Sequence, residues 1–176
     1  MNLEEAANIG ELLGGVAILV TLIFGLRQIN ELNKSKESEA SREIANLLSS
    51  PIYQSGLSIL VNKLSDDFTL EDLDKLDRKE KDALNFLVIN TNSIGLMTFG
   101  RQLSFKSVTR FIQPINVMIG RRFRTLVEVL GNNARNQGIL SVQTDPFDWA
   151  IWLLDRMDEQ PPIEGPAHEI HRNWKP

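Results

Sequence analysis

The two histidines of the chain, His168 and His171, flank Glu169 in the run His168-Glu169-Ile170-His171. A zinc-protease helix places two His at i and i+4, with Glu beside the first, so that both rings meet one metal ion. Here the spacing is one residue short, four prolines (Pro161, Pro162, Pro166, Pro176) surround the run, and no third ligand is indicated, so no metal is assigned. The chain has no cysteine, which removes disulfides, thiolate zinc sites, iron–sulfur clusters and cysteine nucleophiles together and fits a reducing compartment. The acid pairs Asp66-Asp67 and Glu71-Asp72 lie in a polar run, without the burial that tunes a carboxylate for proton transfer. Neither a GxxxxGK[ST] nor a GxGxxG pattern is present, and Gly14-Gly15 falls inside an apolar run. No catalytic residue and no cofactor is assigned on these grounds, and a non-enzyme is expected.

Charge is the next candidate chemistry. The net charge is −4, but it is segregated. Residues 83–144 carry Arg101, Lys106, Arg110, Arg121, Arg122, Arg124 and Arg135 against one acid, Glu128, a balance of +6. The stretch 63–82 before it stands at −3 and residues 145–176 at −4. On a helical wheel Lys106, Arg110, Arg121 and Arg124 fall opposite the apolar positions of the same segment, forming a basic amphipathic helix. Three readings compete. The face pairs with the acidic parts of the same domain, rests on anionic lipid headgroups, or binds a phosphorylated ligand or nucleic acid. The last is disfavoured, because no recognition motif accompanies the charge and the chain as a whole is acidic.

The element that would position such a face is the N-terminal segment. Residues 12–26 read LLGGVAILVTLIFGL, without a charge. From Ile9 to Leu26 a helix would measure roughly 27 Å at 1.5 Å per residue, against a hydrocarbon core of about 30 Å. A buried soluble helix normally keeps a polar face, and this run has none. A cleaved signal peptide needs a basic start and small residues at the cut, where this chain has Glu4, Glu5 and then Leu26, Arg27, Gln28. The expectation is a transmembrane helix within residues 1–30, embedded in the bilayer over residues 9–27. Lys and Arg are absent before it, while Arg27, Lys34, Lys36 and Arg42 follow it. The positive-inside rule then puts the N-terminus outside and the rest in the cytoplasm, at the inner membrane. Gly10, Gly14, Ala17 and Thr21 form a strip of small residues at helical spacing, a candidate helix–helix contact. Glu11 sits within the first turns, where it can reach water and favours the helix dipole.

Beyond the span, residues 31–50 are expected to continue as a helical stalk, residues 51–158 to form a helical cytoplasmic domain, and residues 159–176 an extended tail. Ser50-Pro51 is a helix start with Ser as N-cap, running to about Leu64, and Thr69 with Glu71 and Asp72 starts a short acidic helix. Lys79–Leu103 reads as one central helix, with Leu84, Leu87, Val88, Thr91, Ile94, Gly95 and Thr98 on the 3.6-residue period and Phe86 and Ile89 widening that face. From Ser104 a second periodic stretch runs through Val108, Phe111, Ile112, Ile115, Ile119, Phe123, Leu126 and Leu130, with Pro114 inside it as a kink or a break, ending at Gly131-Asn132-Asn133. Asp145-Pro146 would start the last helix, docked by Trp149, Trp152, Leu153 and Met157. The fold class is all-α, a small helical bundle behind an N-terminal span.

The opening MNLEEAANIGELLGGVAILVTLIFGLRQI, the stalk start RQINELNKS and the helix ALNFLVINTNSIGL, in that order, resemble a family of uncharacterised bacterial proteins with one N-terminal span and a small helical cytoplasmic domain. Members carry an aromatic and an acid after the Asn-Phe pair, where this chain has Leu87 and Val88. The resemblance implies the architecture and brings no activity with it. The functional expectation is therefore a membrane-anchored interaction or regulatory subunit, homo-oligomeric or bound to a membrane-protein partner. The alternative is a self-assembling, membrane-active protein in which Glu11 lines a polar path.

Overall fold

The computed structural model describes residues 3–138 and 146–160, with side chains from residue 14 onward. Its secondary structure is entirely helical: α1 Leu3–Leu48, α2 Pro51–Asn62, α3 Leu70–Asp74, α4 Arg78–Phe99, α5 Phe105–Asn136 and α6 Asp148–Asp158. The chain separates into two compact units, Met1–Arg42 and Glu43–Pro176. The first is the bulk of α1. The second holds the end of α1, whose Ile44 and Leu48 are buried, and the five remaining helices.

Local sequence explains most helix ends. Pro51 disfavours helical backbone at the residue before it, and Ser50 is extended (φ −67°, ψ 139°). One dipeptide thus stops α1 and starts α2, with Ser50 Oγ accepting from the Tyr53 N–H at 3.4 Å. At α3, Thr69 and Asp72 form a reciprocal capping box, and Asp77 and Glu80 form another at α4. Ser104 caps α5.

Three ends differ from the sequence expectation. Helix α4 stops at Phe99, short of Leu103, in a Schellman turn: Gln102 N–H donates to Met97 O at 2.9 Å and Arg101 N–H to Thr98 O at 3.1 Å. The left-handed position of that turn is filled by Arg101 (φ 57°), although Gly100 stands next to it. Helix α5 is continuous through Pro114, which is exposed, so the Arg110 carbonyl that loses its usual donor faces water. It also passes Gly131, which is buried, and ends at Asn136, with Gly138 (φ 70°) as the left-handed glycine beyond it. Helix α6 begins at Asp148, not at Asp145-Pro146, and its N-cap Phe147 offers no side-chain acceptor. The acceptor comes from α4 instead: Asn92 Oδ1 takes the Ala150 N–H at 3.1 Å. Asp145 lies outside the described residues.

Helix α4 is the core of the second unit. Its Leu84, Leu87, Val88, Thr91, Ile94, Gly95 and Thr98 are all buried, as the periodicity predicts, and Ala83 joins them. Ile89 does not widen this face. It is 56% exposed, and Phe86 is half-buried. The buried hydroxyls are satisfied within the helix, Thr91 donating to Leu87 O at 2.8 Å and Thr98 to Ile94 O at 2.6 Å. Two glycines set the packing distance. A Cβ on Gly56 of α2 would lie 2.7 Å from Ala83 O, and a Cβ on Gly95 would lie 2.1 Å from Trp149 O. Leu153, Leu154 and Met157 of α6 are buried against this arrangement, while Trp149 and Trp152 are half-buried and meet Phe99, the first tilted and the second edge-on, at centroid distances of 4.5 and 5.6 Å.

Two substitutions test this account by thermal melting. Gly95→Ala must push the α6 backbone away, and a loss of roughly 2–3 kcal/mol is expected. A melting curve within one or two degrees of the parent would refute the close approach. Arg101→Gly removes a left-handed strain without touching a buried group, and should raise stability by about 1 kcal/mol.

Candidate functional site

The basic residues of α5 separate into two groups. Arg122 projects toward the end of α2. Its Nη1 donates to Leu60 O and Val61 O at 3.1 and 2.7 Å, and its Nε to Asp66 Oδ1 at 2.6 Å. A guanidinium at the C-terminal carbonyls of a helix meets the negative end of its dipole. Arg121 pairs with Asp67 at 2.9 Å. Arg124 reaches α6, with Asp155 at 3.0 Å and Asp158 at 2.7 Å. These three arginines thus answer the acidic residues on either side of them in the sequence. Lys106 and Arg110 are exposed and have no ion pair among the described residues. The sequence had grouped Arg121 and Arg124 with Lys106 and Arg110 as one face; the structure commits the first pair to carboxylates of the same unit and leaves the second pair open.

Between and beyond the open bases lie apolar side chains. Val117 is 79% exposed and Met118 58% exposed, and Pro114 is exposed as well. At 100° per residue Val117 projects between Lys106 and Arg110, on the side away from buried Val108, Ile112, Ile119 and Phe123. Sequence reasoning missed Val117 and Met118, because a run of apolar residues in an amphipathic helix is read first as core. Their angular position against the buried stripe was the signal.

On α1, the large apolar side chains from Val16 to Leu32 are at least half exposed. The stretch from Gly14 on is long and apolar enough to cross a membrane, and none of it is buried in the protein. Gly14, Ala17 and Thr21 lie along one side of α1 at helical spacing, and the Thr21 hydroxyl donates to Ala17 O at 2.8 Å. A Cβ on Gly14 would meet nothing within 4 Å. Gly10 lies in α1, but its surroundings, like the side chain of Glu11, are outside the described residues.

A cavity of about 120 Å³ is lined by Leu70, Leu73, Leu84, Leu126 and Leu130, with the Asp74–Lys81 ion pair (3.3 Å) among the polar groups at it. Sites for organic ligands run to about 300–1,000 Å³, so this one falls short of a substrate pocket. Among the described residues, no three His, Asp or Glu side chains come together as metal ligands. His168 and His171 are outside that set. No protein family, curated protein or solved structure matches the chain.

The acidic turn and α3 give a pH dependence. The Lys75 ammonium beside Asp72, with the backbone N–H and hydroxyl of Thr69, lowers its carboxyl from 3.8 to about 2. Arg122 likewise holds Asp66 below the usual carboxylate range. A carboxyl whose folded pKa is depressed contributes stability that is complete above its unfolded value and is lost as pH falls through the folded one. Between about pH 4 and pH 2 the bundle should therefore lose stability, and Asp72→Asn should be less stable at pH 7 and show a shallower decline. Urea midpoints at pH 7, 4 and 2 check this. Parallel pH profiles for the two proteins would contradict it.

Proposed function

We propose that the chain is a membrane-anchored, non-catalytic interaction or regulatory subunit. It sits at the inner membrane through residues 9–27, N-terminus outside, with its helical bundle in the cytoplasm. The observation that carries this is the surface of α1: ten large apolar side chains, from Val16 to Leu32, each at least 50% exposed. A contiguous apolar surface of that kind marks a membrane or an interaction site in a folded protein, and its length matches a bilayer core. Orientation rests on the bases Arg27, Lys34, Lys36 and Arg42, all on one side of the apolar run. The resemblance to bacterial single-span proteins with small helical cytoplasmic domains belongs to the same reading.

Association within the membrane is assigned to the side of α1 that carries Gly10, Gly14, Ala17 and Thr21. Small side chains allow close helix approach, nothing among the described residues occupies the space beside Gly14, and the Thr21 hydroxyl is already bonded within its own helix. The partner is a second copy or another membrane protein.

Membranes carrying the tagged chain, washed at alkaline pH and dissolved in mild detergent, give the test. The chain should stay with the washed membranes, and the mass of the purified complex should exceed that of one copy. A second protein in stoichiometric amount supports the subunit reading, and a closed homo-oligomer with no partner supports the membrane-active one. Release of the chain by the wash would mean that α1 is a buried soluble helix in its native setting.

A further inference from the structure

We propose that the N-terminal half of α5 is a second membrane contact, at which Lys106 and Arg110 meet anionic lipid headgroups while Val117 and Met118 enter the interface between headgroups and acyl chains. The proposal rests on the membrane anchoring inferred above, and three observations support it.

The first is the division of charge. Arg121, Arg122 and Arg124 are held by Asp66, Asp67, Asp155 and Asp158. Lys106 and Arg110 have no such partner among the described residues, and residues 101–120 contain no acid at all. On α5, the bases without an ion pair among the described residues therefore lie toward its N-terminal end. The second is exposure. Val117, at 79%, is the most exposed large apolar side chain described, and with Met118 it stands about 16 Å along the helix from Lys106. Basic residues beside outward apolar ones on one helix face are the pattern of interfacial helices, which lie in the plane of the membrane surface. The third is tethering. Only the residues between Leu26 and Glu43 connect the apolar run to the second unit. Anchoring makes the contact intramolecular, so it needs less affinity than the recruitment of a free protein would. The choice of lipid over protein follows from the same charge argument. A cytoplasmic leaflet presents a uniform anionic surface close to the anchor, and it requires no shape complementarity from a convex helix.

The absence of cysteine makes the test clean. Met118→Cys and, as a comparison, Ser55→Cys on α2 would each carry one polarity-sensitive fluorophore in the full chain. Each is reconstituted in vesicles of phosphatidylcholine alone and of an equimolar mixture with phosphatidylglycerol. The label at 118 should shift to the blue and be quenched by nitroxide lipids in the mixed vesicles, and do neither in neutral ones. The label at 55 should remain in water in both. Lys106→Gln with Arg110→Gln should weaken docking by roughly thirty-fold at low salt, taking about a fivefold loss for each base near the surface. A label at 118 that stays in water overturns the proposal. So does a shift that persists in neutral vesicles and grows with protein-to-lipid ratio, since that assigns the face to a second copy. Flotation after an alkaline wash separates the two readings. A chain that floats with a wet label at 118 keeps its anchor and loses this contact. A chain that leaves the vesicles at alkaline pH, yet shows the lipid-dependent shift at neutral pH, keeps the contact and loses the anchor. A chain that does neither loses both.

Discussion

At Gly95 the carbonyl oxygen of Trp149 comes within 2.1 Å of where a Cβ would sit, and at Gly56 that of Ala83 comes within 2.7 Å. Helix α4 is thus approached at backbone distance from two sides, by α2 and by α6. Helices with ordinary side chains at the contact pack 8–10 Å apart, and a missing Cβ lets the axes come closer. The consequences reach the rest of the unit. Close approach brings Asn92 of α4 to the bare N-terminus of α6, where its Oδ1 accepts the Ala150 N–H, and it brings Phe99 into contact with both Trp149 and Trp152. On the other side it places Tyr53, buried to 1% exposure, with its hydroxyl 3.4 Å from Thr91 Oγ1. Burial raises the Tyr53 pKa, so the phenol stays neutral and suits an apolar core.

The apolar contacts outweigh the ionic ones. Each exposed ion pair contributes at most about 1 kcal/mol, and the Arg121–Asp67 pair is exposed on both sides. A fully buried Leu or Met contributes roughly 1.5–3 kcal/mol, and α6 buries Leu153, Leu154 and Met157. The arginines act as orienting contacts on a bundle held by its core. Asn116 illustrates the trade. Its Nδ2 donates to Asp158 Oδ1 at 2.8 Å, which fixes the end of α6, while its buried Oδ1 has no hydrogen-bond partner among the described residues. Gly120, one turn on, makes this geometry feasible, since a Cβ there would stand 2.3 Å from that oxygen.

Helix existence and the core of α4 were legible in the sequence, because capping residues and a 3.6-residue period act locally. Ser50-Pro51, the Thr69 cap and the seven periodic positions from Leu84 to Thr98 all stand where those rules put them. The ends that were misread depend on something non-local or on a choice between near equivalents. The Asn92 cap of α6 lies 58 positions from its donor. Gly131 looked like a terminator but is buried inside α5, and the terminating glycine is Gly138. Likewise Lys106, Arg110, Arg121 and Arg124 share one face on a wheel, and only the fold decides which of them finds an acid. Glu80 belongs both to the α4 capping box and to an ion pair with Lys63, a link across 17 positions that no local pattern predicts.

The two outward apolar features, on α1 and on α5, differ in what their surroundings demand. On α1 the apolar residues cover every side of the helix, so no rotation of α1 would hide them against a single neighbour, and a medium that is apolar all round is the solvent that satisfies them. On α5 the opposite holds. Val108, Ile112, Ile119 and Phe123 already fill one side against the core, and the outward Val117 and Met118 follow the open bases Lys106 and Arg110 along the helix. An outward face of this kind suits a boundary between water and an apolar phase. The two surfaces therefore differ in kind, the first apolar on every side and the second apolar on one narrow outward strip. Charge marks the difference: residues 12–26 contain none, whereas Lys106 and Arg110 stand on the same side of α5 as Val117.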